Sequence, residues 1–105
     1  MIDFEQFKKM MTSELETDTC IEILFAVSDN VKYDNCWMGK IHSKTDVYWY
    51  GLTADGTNAF DYEEFESFIN DKVFDGKSLA EIWKDVEILE IDGCDPMERI
   101  KYYSE

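Results

Sequence analysis

Proline occurs once in these 105 residues and glycine five times, too few for a collagen-like chain or a Pro/Gly-rich disordered one. Long apolar runs are missing too. The longest, Ile23 to Val27, covers five residues, where a membrane-spanning helix needs about 20. Basic residues are scarce: ten Lys and Arg stand against 24 Asp and Glu, a net charge of −14. Such a chain cannot hold a phosphate backbone by charge, which excludes a direct DNA or RNA binder.

Histidine is single and the three cysteines, Cys20, Cys36 and Cys94, are far apart. Without a Cys-x-x-Cys pair there is no local chelate for structural zinc. Without a glycine-flanked nucleophile beside His42 there is no sign of thiol catalysis, and no phosphate-binding glycine loop is present. The expectation is a protein that is not an enzyme, with no catalytic residues and no cofactor. An odd number of cysteines and a polar amphipathic start in place of an apolar leader suggest a reducing, cytoplasmic setting. Cys20 and Cys36 then read as small core residues.

Hydrophobic residues make up 45% of the chain and aromatics 15%, enough to fold despite the charge. The length suits one domain spanning residues 1–105. Phe4, Phe7, Met11 and Leu15 fall at helical spacing behind an Asp3–Gln6 capping box, which predicts a helix from Phe4 to about Glu16. Cys20–Val27, Val31–Ile41 and Val47–Thr53 read as strands, the second pair joined by a polar His42–Asp46 segment and the third closed by an Ala54-Asp55-Gly56 turn. Three further capping boxes, Asp61/Glu64, Ser78/Glu81 and Asp95/Glu98, predict three helices. The first carries Phe65, Phe68, Ile69 and Val73 inward and ends near Asp75-Gly76. The second carries Leu79, Ile82, Trp83 and Val86, and the third buries Met97 and Ile100. Val86–Ile91 reads as a strand ended by Asp92-Gly93. The expected class is α+β, a mostly antiparallel sheet of about four strands with helices packed on it, in the order α-β-β-β-α-α-β-α.

Thr53–Phe65, TADGTNAFDYEEF, resembles the loop of a calcium-binding EF-hand, in which oxygen ligands alternate and a glutamate closes the shell. The resemblance puts Thr53, Asp55 and Thr57 at the leading ligand places, Asp61 at the ninth and Glu64 at the last, so Asp55, Asp61 and Glu64 would supply the carboxylates. Thr53 departs from the usual leading aspartate, Asn58 from the glycine of the bend, and the entering segment reads as a strand. A turn at Asp55-Gly56 followed by a helix start accounts for the same residues without a metal, and that reading is preferred.

The charge is unevenly spread. Residues 53–98 hold fourteen acids and three bases, which is −11 of the −14. Glu63, Glu64, Glu66, Asp71, Asp75, Glu81, Asp85, Glu87, Glu90 and Asp92 must therefore face water or a partner. In the strand Tyr48-Trp49-Tyr50 bulky groups load both sheet faces, and the side with the tyrosine hydroxyls is either covered by a helix or left as an exposed aromatic patch.

A dense acidic face on a small fold suits a basic protein surface, and helical carboxylates can imitate a phosphate row. The leading expectation is an inhibitor that binds a basic nucleic-acid-handling protein by charge complementarity or nucleic-acid mimicry. Glu63, Glu64, Glu66, Asp71, Asp75, Glu81, Asp85, Tyr48 and Tyr50 are its contact candidates. In charge and size, though in no sequence signature, the chain is similar to DNA-mimic inhibitors of restriction or CRISPR nucleases and to nuclease-immunity proteins. The alternatives are a domain whose acidity serves solubility alone and the calcium module.

Overall fold

Asp3 opens the first helix as its sequence requires. Its carboxylate accepts from the Gln6 amide at 2.8 Å while the Gln6 side chain accepts from the Asp3 amide at 3.0 Å, which starts α1 (Phe4–Thr12). The computed structural model describes residues 2–13, 19–43, 45–53 and 58–104, without the Ser104 side chain. The expected continuation of α1 through Leu15 to Glu16, and the 54–56 turn, lie outside the described residues.

The apolar run becomes β1 (Thr19–Val27). It is followed by β2 (Cys36–His42), β3 (Asp46–Gly51) and β4 (Ala59–Tyr62), each antiparallel to the one before, with β5 (Val86–Ile91) returning antiparallel to the free side of β1. The sheet order is β4-β3-β2-β1-β5. The class is α+β with an antiparallel sheet, as expected, but with five strands. β4 is the addition. Asp61 lies within it, paired with Trp49, so it forms no capping box with Glu64; α2 (Phe65–Asn70) starts after Glu64 with no side-chain cap.

Three other boundaries shift for local reasons. The Asn30 side chain accepts from the Lys32 amide, folding Val31–Tyr33 into a 3₁₀ turn that buries Tyr33, so β2 starts at Cys36. Asp71 donates its amide back to the Ser67 carbonyl and ends α2, leaving Val73 beyond it. The Ser78–Glu81 capping box forms and opens α3 (Leu79–Ile82), but the helix tightens to 3₁₀ over Trp83–Asp85 and Val86 begins β5. Asp75-Gly76 and Asp92-Gly93 each adopt positive φ at both residues, the signature of a type I′ turn that aspartate tolerates and glycine favours. The second leads into α4 (Pro96–Ser104), whose Asp95 carboxylate accepts from the Glu98 amide.

The core lies between the sheet and the helices. Alternation sends Ile21, Ile23 and Phe25 of β1, Cys36 and Met38 of β2, and Tyr48 and Tyr50 of β3 to the helical side, where Phe7, Met11, Phe65, Phe68 and Trp83 meet them. Tyr50 stacks on Phe68 with ring centroids 4.3 Å apart, and Phe7 lies 4.6 Å from Trp83. Ile100 joins the core, but Met97, in the first turn of α4, is exposed. Lys40 belongs to the same inner row at 1% exposure. Its ammonium donates to the Met11 carbonyl at 2.8 Å and the Ser13 carbonyl at 3.3 Å, at the C-terminal end of α1, and lies 3.5 Å from the Asp46 carboxylate. No helix among the described residues is long and apolar enough to cross a membrane.

Candidate functional site

The acidic residues named from the sequence fall into groups with different surroundings. Glu63 and Glu64, between β4 and α2, and Glu66 in the first turn of α2 are exposed, and no described cation lies within ion-pair distance of them. Glu63 and Glu64 border a shallow groove shared with His42, Thr45 and Asp46. Here Asp46 accepts from His42 Nδ1 at 2.5 Å, and with Lys40 nearby its carboxyl is held below the ordinary aspartate range. Asp71 accepts a 2.5 Å hydrogen bond from the Tyr62 hydroxyl; burial, reinforced by that carboxylate, raises the Tyr62 phenol. Asp75 pairs with Lys32 at 2.7 Å, and each group stabilises the other's charged form. Glu81 accepts from the Ser78 amide, which lowers its carboxyl, and Lys72 lies 3.9 Å away. Asp85 is half-buried before β5.

Asp92 serves the fold. One of its oxygens accepts from the Glu22 amide at 2.8 Å, the other from Arg99 at 2.9 Å and from the Tyr103 hydroxyl, so a single carboxylate ties α4 to β1. Glu87 and Glu90 are not on the helical side. They are paired with Ala26 and Leu24 and point to the outer face of the sheet.

Tyr48 and Tyr50 are corrected as contact residues. Both rings face the helices at 4% and 1% exposure, and their hydroxyls donate to the Met11 and Phe68 carbonyls. Burial raises the Tyr50 phenol far above its ordinary value. Of the two alternatives for the tyrosine side, cover by the helices is the one realised; the exposed apolar residues lie on the opposite side of the same strand, where residues 47, 49 and 51 alternate outward. Trp37 (41% exposed) and Ile41 (46%) lie there with Trp49, Val47 and Leu24, and no described element covers them. Cys20 is also corrected: it shares this outer face and is exposed, whereas Cys36 is buried with its thiol pushed up to about 11.

Cross-strand register sets the pattern of this outer face. One row runs Glu22, Gly39, Trp49, Asp61; the next runs Glu90, Leu24, Trp37, Gly51, Ala59. Each tryptophan is opposite a glycine. The Trp49 indole lies over Gly39, since a Cβ there would sit 2.8 and 2.9 Å from its ring atoms. Glu22, Asp61, Glu87 and Glu90 rim this face, all exposed.

Of the calcium candidates, Asp55 lies outside the described residues. Asp61 points outward from β4, and Glu64 stands at the start of α2 beside the hairpin groove. No group of three or more His, Cys, Asp or Glu among the described residues is placed to hold a metal ion. The residues that sequence reasoning missed are Trp37, Ile41, Glu22 and Lys40. Alternation in Cys20–Val27 and Cys36–Ile41 separates them into faces but does not say which face the helices take. The fold and surface together define an open-faced, two-layer α+β domain with an acidic exterior. Comparison with protein-family models, with curated proteins and with solved structures gives no match.

Proposed function

We propose that this protein is a small acidic interaction protein that binds a basic protein surface by charge complementarity, as an inhibitor of a nucleic-acid-handling protein. The observation that carries this reading is that Glu63, Glu64 and Glu66 stand exposed, with no described cation to pair with, on a chain of net charge −14. That magnitude exceeds the roughly 2 to 8 that keeps a small domain in solution. Like charge held at this density costs stability through self-repulsion, and a cationic partner would offset it. Asp71, Asp75 and Glu81, each already engaged within the fold, would add to the field more than to direct contact.

The test uses Glu63, Glu64 and Glu66, three exposed glutamates whose one described side-chain hydrogen bond is the 3.4 Å contact from Asn70 to Glu66. The wild-type protein is expected to capture basic, nucleic-acid-binding proteins from a lysate at low salt and to release them at about 0.5 M NaCl, where exposed charges are screened within a few ångströms. Glu63→Lys, Glu64→Lys and Glu66→Lys together should abolish capture with the circular dichroism spectrum unchanged. Capture of the same proteins by the triple variant would refute the charge-driven reading.

A further inference from the structure

We infer that the outer face of the sheet is a docking surface for a polypeptide segment carrying arginine beside apolar side chains. This rests on the reading above that the partner is cationic, and it adds a contact on the sheet to the acidic cluster at the start of α2.

The face is apolar at its centre and anionic at its rim. Trp37 and Ile41 are about half exposed, and no described element lies over them. On the described strands no Lys, Arg or His points to this side; Lys40 and His42 fall on the inner row. Glu22 and Asp61 flank Trp49 in one cross-strand row, so an indole lies between two carboxylates. That combination matches guanidinium, which stacks on an aromatic face, sheds water more easily than ammonium and takes a carboxylate in its plane. Gly39 contributes by having no side chain: the Trp49 ring settles against the backbone there instead of standing over a neighbour.

Charge also decides against the other occupants. A second copy would set Glu22, Asp61, Glu87 and Glu90 against the same four residues, on chains already at −14 each. Nucleic acid and anionic lipid meet the same repulsion. Five strands about 4.8 Å apart and about six residues long give a platform of roughly 20 by 20 Å. That is the footprint of one helix or a pair of strands rather than of a whole domain.

The three tryptophans provide the readout. Trp37 and Trp49 lie on the outer face, and Trp83 is buried among Phe4 and Phe7 in the helical layer. The ¹⁵N-labelled protein would be titrated at low salt with an eight-residue peptide alternating arginine and leucine, and with its lysine and glutamate counterparts. The arginine peptide should shift the Trp37 and Trp49 indole N–H resonances and leave Trp83 in place, binding about fivefold tighter than the lysine peptide. The glutamate peptide should not bind. Trp37→Ser should weaken binding about tenfold with the Trp83 indole resonance unmoved, since that ring reports on the helical layer. Shifts confined to the Glu63–Asp71 amides, with both outer indoles unmoved, would overturn the docking surface and leave the cationic partner standing. Binding of neither basic peptide at any surface would overturn both. Equal binding of the arginine and lysine peptides would overturn the guanidinium assignment, and a shift of Trp37 with protein concentration alone would assign the face to a second copy.

Discussion

Gly39 and Gly51 face outward on neighbouring strands, and the geometry assigns them opposite responses to one added methyl group. At Gly39 a Cβ would lie 2.1 Å from the Ile21 carbonyl oxygen of β1 and under 3 Å from two Trp49 ring atoms. The indole could swing aside, but the carbonyl is backbone in the central strand pair, and moving it means parting β1 from β2. Overpacking a fitted site costs about 1–3 kcal/mol, occasionally more, and a clash with immobile backbone belongs at the upper end. At about 3 kcal/mol, and about 4–8 °C per kcal/mol for a domain of this size, Gly39→Ala should lower Tm by roughly 12–24 °C. At Gly51 the nearest atoms to a Cβ, on Trp37 and Trp49, are 3.9 Å away, an ordinary contact, and φ is not positive. Gly51→Ala should therefore leave stability unchanged or raise it by about 0.4–1 kcal/mol, by restricting the unfolded chain. Differential scanning calorimetry of both variants beside the wild type reads the contrast directly. A Gly39→Ala protein melting within about 3 °C of wild type, or a Gly51→Ala protein that is the less stable of the two, would refute the argument from sheet geometry.

The buried ammonium of Lys40 gives a second prediction. Lys40→Met keeps the volume but removes this donor from the Ser13 and Met11 carbonyls, leaving the Tyr48 hydroxyl as the other described side-chain donor to Met11. The net loss should be about 1–3 kcal/mol, reduced by the lysine desolvation that the variant no longer bears. Urea denaturation measures it, and a variant as stable as the wild type would show that the lysine serves no end of α1. A third concerns acid. The Asp46 carboxyl is held below its ordinary value of 3.8 by His42 and Lys40. The unfolded chain therefore takes up this proton at higher pH than the folded one, and the stabilisation is complete above about pH 4 and lost as pH falls through the folded value. The Tm difference between wild type and Asp46→Asn should be largest near neutrality and close towards pH 2. Comparing the pair cancels the protonation of the other acids, and a difference independent of pH would exclude the pairing.

Where a signal is local, the chain declares it. The capping boxes at Asp3/Gln6 and Ser78/Glu81 are satisfied within four residues, so they form as read. The β-branched run of β1 and the Asp92-Gly93 turn after β5 are equally self-contained. Asp61/Glu64 misleads because the same spacing accommodates a short edge strand, and the choice belongs to β3, which pairs with Ala59–Tyr62 through Tyr48–Gly51. The face of Tyr48-Trp49-Tyr50 is a tertiary matter too. Both sides are aromatic, and only Phe65 and Phe68 arriving from α2 decide that the tyrosines go inward. Lys40 is the extreme case, since burying a lysine makes sense only once the end of α1, nearly 30 residues earlier, supplies carbonyls.

The strand order also imposes a schedule on chain synthesis. β1 to β4 can zip together as successive hairpins while the protein is being made, but β1 keeps one edge unpaired until residues 86–91 arrive and Asp92 fastens it to α4. In that interval Cys20–Val27, the most apolar stretch of the chain, is an open template for any passing strand. The nascent chain is most exposed to misassembly just before its last strand is delivered. The cellular yield of this protein should then depend on how quickly the segment from Phe65 to Ile91 follows the meander, more than on the final stability of either part.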